Sequence, residues 1–399
     1  MTTTGLAKPG SMRPLATDMS GFPDSASALA QALQHSRNRT LALMEAWCRA
    51  LPGLRVPLEP HLNLPLWEWG HVGWFQTWWI GRNRQRALGL GCDPDHERLP
   101  PAWAEADDCF NSSTVAHARR WQLELPTLAQ TKAELQRGLS ETLDLLDRAA
   151  RSGDDLYFWQ LVLAHEDMHQ EAALYMAQTI GLPMPEPWVQ GHGVTAGGCG
   201  RRRLEIPAQT LRIGHEPADR CFAFDNECQA HEVSLPAFEI DAVPTTWGEY
   251  LAFTQDTGHP LPPAVRWVDG KALVRRFESW RAVDLDLPAS FRGAKDAQAW
   301  CDWAGRALPT EAQWECAART HEGFQWGSVW EWTASTFEPY PGFVPHPYSD
   351  YSAPWFGTHR VLRGASEFTS ARLLSRSYRN FFLPERTDVP AGFRTVARA

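Results

Sequence analysis
Two histidines four residues apart, His165 and His169 in Leu161-Val-Leu-Ala-His-Glu-Asp-Met-His-Gln-Glu-Ala172, carry the clearest chemistry in the chain. Residues at i and i+4 share one helical face about a turn apart, so two imidazoles spaced this way can close on one metal ion. Phe158, Leu161, Val162, Ala172 and Met176 make their surroundings apolar. A buried pair of imidazoles needs partners, and a divalent ion satisfies both at once. A bare pair of this kind more often marks hydrogen-bonded or surface histidines, but a third histidine shifts the balance. His71 lies upstream in a second strongly apolar helical stretch, Leu64–Phe75. Glu166 also completes the zinc-protease pattern HExxH, in which it would be the general base. That reading needs its third ligand downstream of the pair, not upstream.

The elements that must position these side chains follow from periodicity and caps. Tyr157–Ile180 reads as one helix, ended by Gly181 and the prolines at 183 and 185. Leu62–Ile80 reads as another, carrying His71. Asp24 can cap a helix running to about Leu51, and Thr127 opens Leu128–Arg151, with Leu135, Leu139, Leu143 and Leu146 on its inner side. Four such helices predict a bundle, a fold whose metal sites form from inward side chains on facing helices. The connection Gly81–Pro126 is too long for a bundle loop and is expected to contribute to a site. Residues 183–203 are rich in Pro and Gly and predict a linker, and residues 1–22 are polar and predict disorder. Beyond 204, short apolar runs, turns and scattered aromatics predict a loop-rich α+β domain. Helices are expected in it at Ala294–Ala304 and Thr310–Ala318, the second with Thr310 as cap and Gln313 completing a capping box. The expected domains are thus 23–182 and 204–399.

Bulk properties narrow the function classes. A chain of 399 residues can hold two cores. Its net charge of −9, without a Lys/Arg block, argues against nucleic acid as a partner. No run of 18 apolar residues exists, and Met1–Gly21 lacks the apolar segment of a secretion signal, so a soluble cytoplasmic protein without a membrane partner is expected. Eight cysteines without CxxC spacing read as reduced thiols. Twenty tryptophans serve core packing, and indole faces can also wall a site for a cationic ligand.

Several longer motifs carry a resemblance. Ile206-Pro-Ala, Phe224-Asp-Asn-Glu227 with His231-Glu-Val233, Gly305-Arg-Ala-Leu-Pro-Thr-Glu-Ala-Gln-Trp-Glu315, Val329-Trp-Glu-Trp-Thr333, Leu362-Arg-Gly364 and Gly392-Phe-Arg394 occur in this order. Together they resemble the formylglycine-generating-enzyme-like (sulfatase-modifying-factor) domain, whose fold is C-type-lectin-like. The first half is similar to the DinB-like bundle of ergothioneine-type synthases. Both halves together resemble the sulfoxide-synthase family that includes the ergothioneine, ovothiol and selenoneine enzymes. The chain has no Cys after Cys316, so the late cysteine pair of true formylglycine-generating enzymes is absent from it.

The resemblance implies His71, His165 and His169 as ligands of one Fe(II). Three imidazoles leave three positions of an octahedral ion for substrates and O2. It implies hercynine (N,N,N-trimethylhistidine) as one substrate and a thiol or selenol as the other, joined at the imidazole C2. Asn380 and Phe381, in Ser377-Tyr-Arg-Asn-Phe-Phe-Leu-Pro-Glu-Arg386, fall where hercynine contacts are expected. Tyr340, in Glu338-Pro-Tyr-Pro-Gly-Phe343, best matches the family's proton-donating tyrosine, with Tyr348 and Tyr351 as competitors. Arg119 and Arg120, in the Phe110–Trp121 stretch, are candidates for donor binding. Phe382 stands where synthases that use γ-glutamylcysteine have an acid, which suits a neutral selenosugar better than a charged dipeptide. The closest expectation is selenoneine synthesis, with ergothioneine-type C–S bond formation as the alternative.

Overall fold
The computed structural model describes residues 22–185, 188, 203–216 and 222–398. The expected N-terminal disorder and most of the expected linker lie outside these residues. The first part is helical: α1 (Ala26–Ala50), α2 (Pro65–Gln76), the short α3 (Ala106–Phe110), α4 (Leu128–Ser152) and α5 (Tyr157–Ile180). Four of them form the expected bundle, α1 packing on α4 and α5, and α2 on both α4 and α5. Ser25, not Asp24, caps α1 by accepting the Ala28 amide. A Thr127/Gln130 capping box opens α4, and Gly153 and Gly181 close α4 and α5 in the left-handed conformation that glycine adopts most cheaply. The buried line of α4 is Thr131, Leu135, Gly138, Thr142, Leu146 and Ala149, with Leu139 and Leu143 at its half-buried edge. The second apolar helix is shorter than expected, because beyond Gln76 it widens into a π-helical turn, Thr77–Gly81.

One buried side chain ties the four helices together. Arg37 of α1, fully shielded, gives bonds to Glu166 of α5 at 2.8 and 3.0 Å, to Gln76 of α2 at 2.6 Å and to the Leu135 carbonyl of α4. Removing one member of such a buried pair costs about 3–5 kcal/mol, because the other charge is stranded.

The second part is built from short strands. One sheet orders β1 (Arg203–Ile206), β4 (Phe238–Asp241), β13 (Val396–Ala397) and β8 (Arg306–Ala307). A second orders β11 (Asn380–Phe382), β10 (Arg360–Gly364), β9 (Trp330–Thr336) and β12 (Ala391–Phe393). A hairpin of β2 (Gln209–Ile213) with β3 (His231–Leu235) and a three-stranded meander of β5 (Val265–Val268), β6 (Lys271–Arg276) and β7 (Ser279–Ala282) complete it. Helices α6 (Trp247–Thr257), α7 (Ala294–Ala304) and α8 (Glu311–Thr320) pack among them, and α8 carries the Thr310/Gln313 capping box. The chain is therefore a helical bundle followed by a loop-rich α+β domain. No described helix is long and apolar enough to cross a membrane.

The two parts are in direct contact. Arg372 reaches Asp167 of α5 with two bonds, at 2.7 and 2.8 Å. Trp330, Ser366 and Thr369 all donate to Glu171, and Tyr157 meets His346.

Candidate metal centre
His165 and His169 project from α5 and His71 from α2, and their Nε2 atoms converge. His165 Nε2 lies 3.2 Å from that of His71 and 3.1 Å from that of His169. The three ligand atoms all fall within 4.8 Å of one another. The outer nitrogens decide what those inner atoms can do. His71 Nδ1 lies 2.8 Å from the Phe110 carbonyl, and His169 Nδ1 lies 2.5 Å from Glu68 Oε2. Both partners can only accept, so each ring carries its proton on Nδ1 and turns an Nε2 lone pair inward. A neutral His165 offers at most one proton to two such lone pairs. One cation relieves all three, and nitrogens bound about 2.0–2.2 Å from one ion at roughly right angles lie about 3 Å apart. The residues present therefore fit a metal ion.

Local electrostatics favour the neutral, metal-binding form of His71 and His165. Burial, reinforced by the neighbouring His169, lowers the His71 pKa to about 3, and burial drives His165 well below the usual histidine range. Burial alone would raise the Glu68 carboxyl. The electrostatic pull and hydrogen bond of the His169 ring, with His71 and Arg120, overcome it and hold Glu68 down to about 2. Glu68 stays ionised and orients His169, while Asn63 binds its other oxygen. Sequence reasoning missed Glu68, although it lies one turn before His71 on α2, at a spacing that puts both on one helical face.

Aromatic rings wall the site. Phe75 stacks on His165, with centroids 3.6 Å apart and planes 5° apart, and Trp67 stacks on His71 at 5.0 Å. The Arg120 guanidinium sits 3.7 Å over Trp67, with its Nε buried and unpartnered, and its charge reaches Glu68 and His71. Arg119, one residue away, is exposed and makes no such contact.

The tyrosine that reaches the histidines is Tyr348. Its ring centroid is 4.9 Å from that of Phe75 and 6.4 Å from that of His165. Tyr340, preferred from the sequence, is not brought there. It packs inside the second part, under the Arg379 guanidinium at 4.0 Å and beside His231, with its hydroxyl 3.4 Å from Glu311. Motif spacing alone could not separate the two, because the loop after β9 folds back after Tyr340 and only its far end meets the bundle.

Asn380, Phe381 and Phe382 form β11, and Asn380 accepts the Phe381 amide through its own side chain. Phe381 stacks on Phe337 at 4.1 Å and lies 5.5 Å from Tyr351. Phe382 lies beneath the Arg386 guanidinium at 4.4 Å, and the same guanidinium reaches Tyr175 of α5. This strand thus borders the seam between the two parts. Glu166 is turned away from the histidines: Arg37 binds both its oxygens and Thr40 donates to it at 2.7 Å. It has no freedom to act as a protease base, and the zinc-protease reading falls.

Comparison with known proteins bears on this arrangement. The sulfatase-modifying factor enzyme 1-like domain matches residues 200–327 and 325–399. The hercynine oxygenase of Mycolicibacterium thermoresistibile is 30% identical over 92% of this chain and 94% of its own length. That of Mycobacterium tuberculosis is 30% identical over 93% and 98%. The formylglycine-generating enzyme of Streptomyces coelicolor is 25% identical over 49% of this chain and 88% of its own length. The first two relatives span both the helical bundle with its three histidines and the loop-rich domain, and on that ground the chain belongs to the hercynine oxygenase family.

Proposed function
We propose that this chain is an Fe(II)- and O2-dependent synthase that joins the imidazole C2 of hercynine to the selenium of a selenosugar. The carrying observation is the convergence of three imidazole Nε2 atoms, two with inward lone pairs, on a site faced by a tyrosine of the second domain. His71, His165 and His169 would hold the iron. When bound, the ion supplies the oxidising power of O2 needed at an unactivated carbon. The C2–H and Se–H bonds break as the C2–Se bond forms, and the two electrons and two protons released go to O2, giving H2O2 or else water with the second oxygen atom on selenium.

The chain's own residues do the rest. The Phe110 carbonyl and Glu68 fix the ring orientations. Phe75 and Trp67 exclude water behind them. We assign Tyr348 the proton-donating role, with Tyr340 reserved to positioning Arg379. Burial raises the Tyr348 hydroxyl above the usual tyrosine range, so it is protonated at neutral pH and would give its proton only to a strongly basic anion developing beside it. Asn380 and Phe381 would meet the hercynine carboxylate and ammonium, the latter through ring faces. Arg120, rather than exposed Arg119, would meet the second substrate. The domain division 23–182 and 204–399 would put the site at the seam, and a cytoplasmic setting accords with the free thiols of Cys48, Cys92, Cys109 and Cys316.

The donor assignment rests on Phe382, which offers no carboxylate to a dipeptide amine and lies under a guanidinium. The names of the relatives state hercynine and oxygenation but no donor, and the second reading is a C–S bond formed from cysteine or γ-glutamylcysteine. Parallel assays of hercynine with selenosugar, thiosugar, cysteine and γ-glutamylcysteine decide between them. Selenosugar is expected to turn over fastest, and a faster amino-acid thiol would reject the selenium assignment. Iron analysis of the purified protein tests the metal, since stoichiometric zinc with full activity would exclude iron.

A further inference from the structure
The segment His165–Glu171 carries three interleaved i,i+4 pairs, each aimed at a different neighbour. His165 and His169 face α2 and the metal centre. Glu166 and Gln170 face α1, where they bind Arg37, Ser36 and Thr40. Asp167 and Glu171 face the second domain. Asp167, 1% exposed, takes both bonds of the Arg372 fork and one from Ser36. Glu171, 7% exposed, gathers three donors on a single oxygen: Trp330 Nε1 at 2.8 Å, Ser366 Oγ at 2.7 Å and Thr369 Oγ1 at 3.0 Å.

The chain of contacts that starts at Glu171 returns to the same helix. Trp330 packs on Tyr378 at 5.6 Å, and the Tyr378 hydroxyl bonds that of Tyr351 at 3.0 Å. Tyr351 packs on Tyr348 at 5.9 Å, Tyr348 on Phe75, and Phe75 on His165. The loop is closed: it leaves α5 two residues after the last ligand, crosses the second domain and rejoins α5 at the first ligand.

We infer that Glu171, seconded by Asp167, is a positioning residue that sets Tyr348 against the metal centre by fixing the second domain on α5. It is not counted as a fourth ligand, since its carboxylate faces the second domain and the group able to hold a metal is His71, His165 and His169. The inference rests on the proposed role of Tyr348, and it is tested first by measurements that need no turnover. Hydrogen exchange is followed by mass spectrometry in Glu171→Ala and Glu171→Gln, alongside Co(II) binding read by visible absorption. Glu171→Ala is expected to speed exchange in peptides covering 346–352 and 366–372. Its Co(II) affinity should stay within about threefold of the parent, as for a group outside the ligand set. Glu171→Gln keeps a carbonyl oxygen for the three donors and should restore slow exchange. If Glu171→Ala does not fold, Ser366→Ala with Thr369→Val removes two donors from the other side and should give the same pattern.

Unchanged exchange at 346–352 in both the Ala and the double variant overturns the inference, as does loss of Co(II) binding in a folded Glu171→Ala protein. In turnover, kcat/KM should fall by about 10- to 100-fold, as expected for a misplaced reacting group, with recovery in Glu171→Gln. If the parent does not turn over hercynine at all, the functional reading fails while the exchange result still stands or falls by itself.

Discussion
The two sides of the candidate site are built by different means. On the bundle side, donor atoms come from two adjacent helices, and hydrogen bonds at the far nitrogens lock His71 and His169. On the second-domain side, Tyr348 sits on a loop pinned at scattered points: His346 to Tyr157, Asp350 to Ser113, and Ser352 to Asp225 and Asn226. A helix holds donor spacing with little help, because 3.6 residues per turn fix it. A loop holds position only through partners far away in sequence. Metal binding and proton delivery should therefore be separable by mutation.

The largest effect should come from the bundle side. Replacing His71, His165 or His169 with Ala is expected to abolish both metal retention and turnover, because two imidazoles hold ferrous iron weakly. Full metal content by elemental analysis in any of these variants would break the comparison at its root. Next comes Tyr348→Phe, which should keep its metal and lose about 10²–10⁴-fold in kcat, the span of a removed general acid. Equal activity in Tyr348→Phe, or a larger loss in Tyr340→Phe, would move the proton donor elsewhere. Glu68→Gln sharpens the contrast. It keeps a hydrogen-bond acceptor but removes the charge behind His169, so metal affinity should weaken about 10- to 100-fold by competition with a chelator.

The smallest effect concerns stability alone. Burial raises the Glu227 carboxyl to about 7, against the pull of the Phe224 amide and of Arg363 and Arg379. Between the usual glutamate value and pH 7 the folded chain holds a proton that the unfolded chain has released. Its stability contribution is thus complete at low pH and lost as pH rises through about 7, by up to roughly 1.4 kcal/mol per unit. Glu227→Gln should gain on the parent as unfolding is measured from pH 5 to pH 8, with metal binding unmoved. A constant difference between the two proteins across that range would contradict the assignment.

The contrast between the two sides also explains what the sequence revealed. The boundaries of α5 and α7, the start of α4 at Thr127 and the capping box of α8 follow from local spacing, and the structure reproduces them. The histidine pair was legible for the same reason, and His71 because its helix is apolar. Tyr348 was not preferred over Tyr340, since seven residues of loop separate them and nothing local reports which end turns toward α2. Asp167 and Glu171 looked like ordinary helical acids. Their partners Arg372, Trp330, Ser366 and Thr369 lie more than 150 residues downstream, beyond the reach of any periodicity.

Six of the seven residues from His165 to Glu171 are committed to one of three directions, which leaves this stretch without slack in register. Inserting or deleting one residue there would turn everything beyond it by about 100° about the helix axis. No compensating shift could then restore one pair without displacing the other two. Length in this segment is consequently under tighter constraint than the identity of any single side chain. Homologous chains that differ by an insertion within these seven positions should have abandoned metal site, bundle brace and domain contact together.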